Sequence, residues 1–427
     1  MIIDKKNGNG DKILWFMAIF RIFAPDMEKI TIGFDAKRIV RNGTGLGSYG
    51  RTLVNDLAQL SHTADGWPLS LQLRLYAPDP GRDDLRSQVK ERENLCFCYP
   101  STINSNPSSP GTHHQSPFTS IQKSYWRSRG IVNNLIRDKV EVFHGLSGEL
   151  PIGISHWGMR SVVTIHDLIF MRHPEFYNWI DTKIYTWKFR QTISEADHII
   201  AISKCTKRDI MELGGVDESR ISVVYQSYAP RFKDRNSPHD LRSAAIDGIP
   251  QRYILNVGSI ERRKNILLAV KALPLLPEDV HLVVVGRHTP YADEVKAYAE
   301  REGLSHRVTM LHGVSDEELP AIYAGAETFV YPSVYEGFGI PIIEAISSGL
   351  PVVACTGSCL EEAGGPDTLY VAPDDVQAMA NAISQTLRGA EGREQRIRRS
   401  QEYIRRFEGA DVASKVADIY LRLWMGR

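Results

Sequence analysis

Short apolar runs rich in Val and Ile alternate with longer stretches of helical spacing along almost the whole chain. The runs at 30–34, 71–76, 140–144, 161–165, 198–202 and 221–224 form one series of expected strands. Those at 253–257, 281–285, 308–311, 328–331, 351–354 and 369–371 form a second. Helix-like stretches lie between them, among others at 47–60, 183–196, 266–273, 292–301, 316–324 and 340–348. Strands alternating with helices imply parallel sheets covered on both faces. Two such series predict two doubly wound α/β domains.

The break between the series falls at 228–251, which is rich in Pro, Ser, Asp and Arg and has little periodicity. The expected plan is therefore an N-terminal domain at 27–228, a linker at 229–250 and a C-terminal domain at 251–408. Residues 409–427 carry helical apolar spacing at Val412, Val416, Ile419, Tyr420 and Leu423, which predicts a terminal helix packed on the rest of the fold. The polar, turn-rich stretch 100–117 is expected to be a mobile loop, and its His113 and His114 lack the companions of a metal site. Residues 13–23 are apolar but too short for a membrane span, carry Arg21 and are followed by no small-residue cleavage site. Met27 is followed at once by a strand-like run, so 1–26 is expected to be an upstream extension. A short interfacial anchor is the alternative.

A chain of 427 residues is too long for one ordinary core, in keeping with two domains. Lys+Arg and Asp+Glu both total 51 and the pI is about 7.2. A nucleic-acid binder normally carries a basic excess, so no such partner is expected. The five cysteines show neither a paired C-x-x-C zinc spacing nor a disulfide framework, which suits reduced thiols and a cytoplasmic location.

Three glycine-bearing segments carry the candidate chemistry. NGTGLGSYG at 42–50 follows a strand and opens a helix, where glycines let a phosphate approach the backbone and free N–H groups meet an anion. Gly45, Gly47 and Gly50 formally fit G-x-G-x-x-G. A dinucleotide site is disfavoured, because residues 36–42 intervene after the strand and no acidic residue ends a strand about 20 positions on. NVGSIERRKN at 256–265 again runs from a strand through Gly258 into a basic loop, with Arg262, Arg263 and Lys264 at a parallel strand's C-terminal end. Cations there can hold a diphosphate in two-point fashion. YPSVYEGFGIPIIE at 331–344 sets Glu336 and Glu344 eight positions apart around a Gly-Phe-Gly turn. The amides of Phe338, Gly339 and Ile340 would face an anion at the helix start, and the carboxylates can accept hydrogen bonds from sugar hydroxyls. His166 ends the strand 161–165, where it could bond a sugar hydroxyl or a carbonyl. His144 and Glu149 follow another strand and are candidates for an acceptor side.

These residues resemble family-4 retaining glycosyltransferases of the GT-B fold, especially bacterial mannosyltransferase-like members that build surface polysaccharides. The similarity runs from Lys29 to Tyr420. Its most specific parts are VGSIERRKN at 257–265, LHGV at 311–314 and SVYEGFGIPIIE at 333–344. The resemblance implies two Rossmann-like domains facing a cleft, with the C-terminal helix crossing back to the N-domain. It implies that Arg263 and Lys264 grip the donor diphosphate and that Glu344 binds the ribose. Glu336, with Gly337 and the amides of Phe338 and Gly339, would contact the transferred sugar, Val314 the base, and His166 the donor sugar. Gly45 and Gly47 would approach the phosphates. Similar proteins place a Pro-containing turn before a further Glu, whereas here no Pro precedes Glu361, so contacts from that loop are not carried over.

No apolar strand ends in an Asp-x-Asp pair, so no metal is expected, and cations and helix amides would stabilise the leaving diphosphate. The expected partners are a nucleotide-sugar donor, GDP-mannose first, and a glycan or lipid-linked acceptor. Two other readings stay open: an epimerase of nucleotide sugars with the same architecture, and a non-catalytic nucleotide-sugar binder. Residues 121–139 carry Lys123, Arg127, Arg129, Arg137 and Lys139 with Tyr125 and Trp126. They read as a solvated basic face or as a peripheral contact with the inner face of the membrane.

Overall fold

The computed structural model describes residues 29–63, 70–100, 120–228, 232 and 248–426. The 1–26 segment, the histidines at 113 and 114, the 101–117 loop and most of the 229–250 linker lie outside the described residues.

Two parallel sheets organise the chain. The first has seven strands in the order β3-β2-β1-β4-β5-β6-β7. They are β1 (Lys29–Asp35), β2 (Ser70–Tyr76), β3 (Leu95–Cys98), β4 (Val142–Gly145), β5 (Arg160–Ile165), β6 (His198–Ala201) and β7 (Ile221–Val223). The second has six, in the order β10-β9-β8-β11-β12-β13. These are β8 (Tyr253–Val257), β9 (His281–Val285), β10 (Val308–Leu311), β11 (Thr328–Tyr331), β12 (Val352–Cys355) and β13 (Leu369–Val371). Helices α1 (Gly45–Thr63), α2 (Trp179–Glu195) and α3 (Lys204–Gly214) belong to the first series. Helices α4 (Ile266–Ala272), α5 (Pro290–Arg301), α6 (Leu319–Gly325) and α7 (Ile340–Ser347) follow strands of the second. After these come α8 (Leu360–Gly364), α9 (Val376–Ser384), α10 (Arg393–Tyr403) and α11 (Gly409–Met425).

The expected two-domain, Rossmann-like architecture is what the chain adopts. β3 was not expected: its LCFC run is short and forms the edge of the sheet beside β2. α2 begins at Trp179 rather than 183, because its first turns are exposed and their apolar residues do not mark a buried face.

In each sheet the strand order reverses once. β1 lies between β2 and β4, and β8 lies between β9 and β11. At such a reversal the loops leaving two neighbouring strands diverge, and a crevice opens outside their carboxyl ends. The strands around β8 are buried on both faces by the two-residue period of a strand. Leu255, Val283, Phe329 and Val352 join one cluster, while Ile254, Leu282, Val330 and Val353 join the other.

The chain divides into two compact units. The first holds Met1–Val163, Ser194–Asp197 and Ala413–Arg427, and the second holds Thr164–Ile193 and His198–Val412. Within the first unit, α11 packs its buried Val416 and Tyr420 inward. The Tyr420 hydroxyl lies 2.6 Å from Nδ1 of fully buried His144, and the Trp424 indole donates to Glu141. Among the described residues no helix is long and apolar enough to cross a membrane.

Tyr420 therefore ties the last helix to β4 by packing and by one hydrogen bond. Tyr420→Phe is expected to cost about 1 kcal/mol and Tyr420→Ala about 3–5 kcal/mol, read as shifts in urea unfolding. Equal costs for the two would remove the hydrogen bond from this account.

Candidate functional site

The second unit gathers most of the candidate residues at the reversal between β8 and β11. β8 ends at Val257 and runs into Gly258, whose φ of +151° suits glycine. Its neighbour Gly286 must also lack a side chain, since a Cβ there would sit 1.9 Å from the Gly258 carbonyl oxygen. Residues Arg262–Lys264 then form one tight turn, closed by Asn265 in the left-handed region at φ 52°. Asn265 is held there by its Nδ2 donating to the Pro373 carbonyl at 2.7 Å.

That turn folds Arg263 and Lys264 back over the strand ends, while Arg262 points outward to Glu294. The Arg263 carbonyl accepts from the Val334 amide at 2.8 Å, which stitches the β8 loop to the loop leaving β11. Lys264 Nζ donates to the Tyr331 hydroxyl at 2.6 Å and lies 4.8 Å from the centre of that ring. It is also 2.5 Å from Glu336 Oε1, while Arg263 donates to Glu336 Oε2 at 2.9 Å. Lys264 and Glu336 are both buried. Burial pushes the Lys264 ammonium below its usual range, against the pull of Glu336. Burial pushes the Glu336 carboxyl up, but Lys264 and Arg263 outweigh it and bring it down to about 2.

The loop carrying Glu336 is fixed from several sides. Ser203 caps α3, accepting from the Thr206 amide, and donates to the Gly337 carbonyl at 2.8 Å. Thr206 reaches the His166 carbonyl at 3.2 Å. A Cβ on Gly337 would lie 2.2 Å from that same carbonyl, so the loop meets the end of β5 only because residue 337 is glycine. The Cys359 thiol donates to the carbonyls of Glu336 and Phe338 at 3.0 and 3.1 Å. The Phe338 ring is buried, stacked on Tyr225 and edge-on to Phe407. Gly339 precedes α7 at φ 115°, with Ile340 opening the helix.

His166 is buried, and its Nδ1 lies 2.8 Å from the Gln226 amide nitrogen. An amide nitrogen can only donate, so Nδ1 accepts and the ring proton sits on Nε2. Asp167 is partly exposed, and its carboxylate accepts from the Ile169 amide at 3.2 Å. Burial raises its pKa against the influence of Arg263.

Glu344 sits inside α7, buried, and accepts from the Tyr323 hydroxyl of α6 at 3.1 Å. Val314 packs against the same apolar cluster after β10. The structure thus joins Arg263, Lys264 and Glu336 directly, with Gly258 against Lys264 and His166 against Gly337.

The other candidates lie in the first unit. Gly45 opens α1 with open space around it, whereas a Cβ at Gly47 would meet the Asn42 carbonyl at 1.8 Å. Glu149 pairs with Arg127 at 2.8 Å, and Arg127 also holds Asp35 at 2.5 Å. The His144 ring is fully buried, packed against Tyr420 and Phe34. The sequence reading missed Gln226, Ser203 and Cys359, which stand in none of the three segments, and gave no role to Tyr331, although it opens the 331–344 motif, or to Asp167, although it follows His166 at a strand end.

Two Rossmann-like parallel sheets are the architecture of the GT-B glycosyltransferases. Similarity to known proteins agrees. Residues 245–403 match the family described as "Glycosyl transferases group 1", and residues 45–228 match "Glycosyltransferase Family 4". The chain is 30% identical to O-antigen chain mannosyltransferase B of Escherichia coli over 67% of its own length and 75% of that protein's. It is 29% identical to the O-antigen chain mannosyltransferase RfbU of Salmonella typhimurium, over 61% and 69%. Sucrose-phosphate synthase from Thermosynechococcus elongatus shares the fold with a TM-score of 0.72, covering 93% of this chain and all of that one at 18% identity. WaaG, a glycosyltransferase involved in lipopolysaccharide biosynthesis, aligns with a TM-score of 0.64 over 91% and 99% at 17% identity. The chain belongs to the family-4 glycosyltransferases and is a hexosyltransferase.

The ion cluster has a pH signature. The Glu336 carboxyl titrates lower in the folded chain, at about 2, than its ordinary 4.5. Its ionised form therefore stabilises the fold above pH 4.5, and that contribution is lost as pH falls toward 2. Wild type is expected to exceed Glu336→Gln by on the order of 3 kcal/mol near neutrality, a gap that closes in acid. A pH-independent gap in urea unfolding would contradict the assigned pairing.

Proposed function

We propose that this hexosyltransferase moves mannose, with retention, from GDP-mannose to a glycan or lipid-linked glycan during surface polysaccharide synthesis. The named relatives of Escherichia coli and Salmonella typhimurium are O-antigen mannosyltransferases, which favours that sugar and that pathway class. The observation that carries the reading is the buried contact of Arg263 and Lys264 with Glu336.

In the resting site Glu336 serves both cations, and Glu261 adds a second contact to Arg263 at 3.1 Å. A diphosphate brings more negative charge and matches the guanidinium fork, so it displaces Glu336 from Arg263 and Lys264. Glu336 is then released toward the sugar hydroxyls. Glu344 takes the ribose hydroxyls, with the base near Val314. As the bond from the anomeric carbon to the diphosphate oxygen breaks, charge grows on the leaving group. The two cations and the amides of Phe338, Gly339 and Ile340 stabilise that charge. The acceptor oxygen forms its bond on the face the diphosphate leaves, and its proton passes to the departing phosphate oxygen. No side-chain base is needed. His166, with its proton on Nε2, donates to a donor-sugar oxygen, and Gln226 keeps that tautomer. Gly45 and Gly47 remain the proposed phosphate-facing glycines of the first unit.

The test is donor binding in EDTA, comparing GDP-mannose, GDP-fucose, UDP-glucose, UDP-galactose and UDP-N-acetylglucosamine by thermal shift. GDP-mannose is expected to stabilise the chain. Arg263→Ala and Lys264→Ala should each weaken binding about 10- to 100-fold. Their transfer rates should fall by about 10²–10³. Binding that appears only with added metal, or survives both substitutions, would remove this assignment. Gln226→Leu is expected to lower the transfer rate and shift its pH profile while leaving GDP affinity within about threefold, as a residue acting through His166 should.

A further inference from the structure

Helix α2 presents an apolar face that nothing in the described residues covers. Trp179, Ile180, Ile184 and Trp187 are 66%, 49%, 46% and 59% exposed. At 100° per residue, Trp179, Lys183 and Trp187 fall in one row and Ile180 and Ile184 in the row beside it. The opposite side is the one that packs, through Phe189 and Thr192, with Tyr185 against Phe170. An isolated exposed Leu or Ile is ordinary, but two Trp and two Ile on one helical face are not.

The charges around that face identify its occupant. Lys183 sits within it, with Nζ 4.8 Å from the centre of the Trp179 ring, and Arg190 lies at its edge. Asp181, in the helix's first turn, lies outside the face, on the same side as Lys188. Pairing two copies about a two-fold axis through the face's centre would set Lys183 near Lys183 with no acid on the face to meet it. A lipid surface suits the same pattern, since Trp and Ile enter the headgroup boundary while Lys and Arg reach phosphates.

The basic stretch 121–139 also exposes Ile121 and Tyr125, but its Trp126 is buried, and Lys123 is paired with Asp79, Arg127 with Asp35 and Glu149, and Arg137 with Asp138.

We propose that the α2 face of Trp179, Ile180, Ile184 and Trp187 docks on an anionic lipid surface, with Lys183 and Arg190 meeting lipid phosphates. Such docking would bring the enzyme to the plane of a lipid-linked acceptor; that use rests on the proposed function, whereas the docking itself does not.

The full chain should be sedimented with phosphatidylcholine vesicles, with and without phosphatidylglycerol. Binding is expected with phosphatidylglycerol, weaker in high salt, and reduced about tenfold or more in W179S/W187S and in K183Q/R190Q. I121S/Y125S should bind as wild type does. Thermal midpoints and GDP-mannose affinity should be unchanged in the α2 variants, so loss of lipid binding is separable from failure of the donor assignment. The proposal is overturned if wild type ignores anionic vesicles or if the α2 variants bind them as well as wild type. It is equally overturned if light scattering finds a dimer that W179S/W187S dissociates.

Discussion

Burying an arginine and a lysine side by side is costly unless a carboxylate meets both, and this constraint shapes the second unit. Arg263 and Lys264 are placed by the ends of β8, and no residue of their own loop is buried beside them with opposite charge; Glu261 is half exposed. The countercharge comes from Glu336, beyond the next strand in space. Strand order thus has an electrostatic consequence. Were β8 and β11 not adjacent, the two loops could not share a carboxylate, and the cations would face an uncompensated desolvation cost.

A shared carboxylate works only if its loop is stiff. Glu336 and its neighbours are gripped through backbone carbonyls, by Ser203 at Gly337 and by Cys359 at Glu336 and Phe338. Anchoring by main chain fixes the loop without using the Glu336 carboxylate. The Phe338 ring adds apolar fixation against Tyr225 and Phe407. The arrangement therefore separates what must stay from what must move. The loop's path is fixed by packing and main-chain hydrogen bonds, while the carboxylate is held chiefly by its two cations, which a polyanion can draw away.

Much of this was legible in the sequence, and the reason is local. Strands buried on both faces read as unbroken apolar runs, so the second sheet was found strand by strand. The cluster at Arg263, Lys264 and Glu336 was legible because each residue stands in a short motif at a strand end. What stayed hidden depends on distant pairings. His144 sits at a strand end like His166, yet one ring is enclosed by Tyr420, 276 positions away, and the other is oriented by Gln226, 60 positions away. β3 was missed because its apolar run is only four residues long and lies at the sheet edge.

The two basic, aromatic segments make the same point about surfaces. Residues 120–137 and α2 both interleave Trp, Tyr, Lys and Arg, and by composition neither stands out as the surface-binding one. Three-dimensional pairing separates them. In the first, carboxylates from β1, the loop after β2 and the loop after β4 draw the cations inward, and Trp126 goes into the core with its indole on Asn134. In the second, the opposite side of the helix supplies the packing, so the Trp–Lys–Trp row is left facing out. A cation already neutralised by a buried acid has little attraction left for a phosphate, while one lying over an exposed indole keeps its charge for whatever approaches. Which basic helix can meet an anionic surface is therefore decided by where the acids of the rest of the fold are placed, not by the basic segment itself.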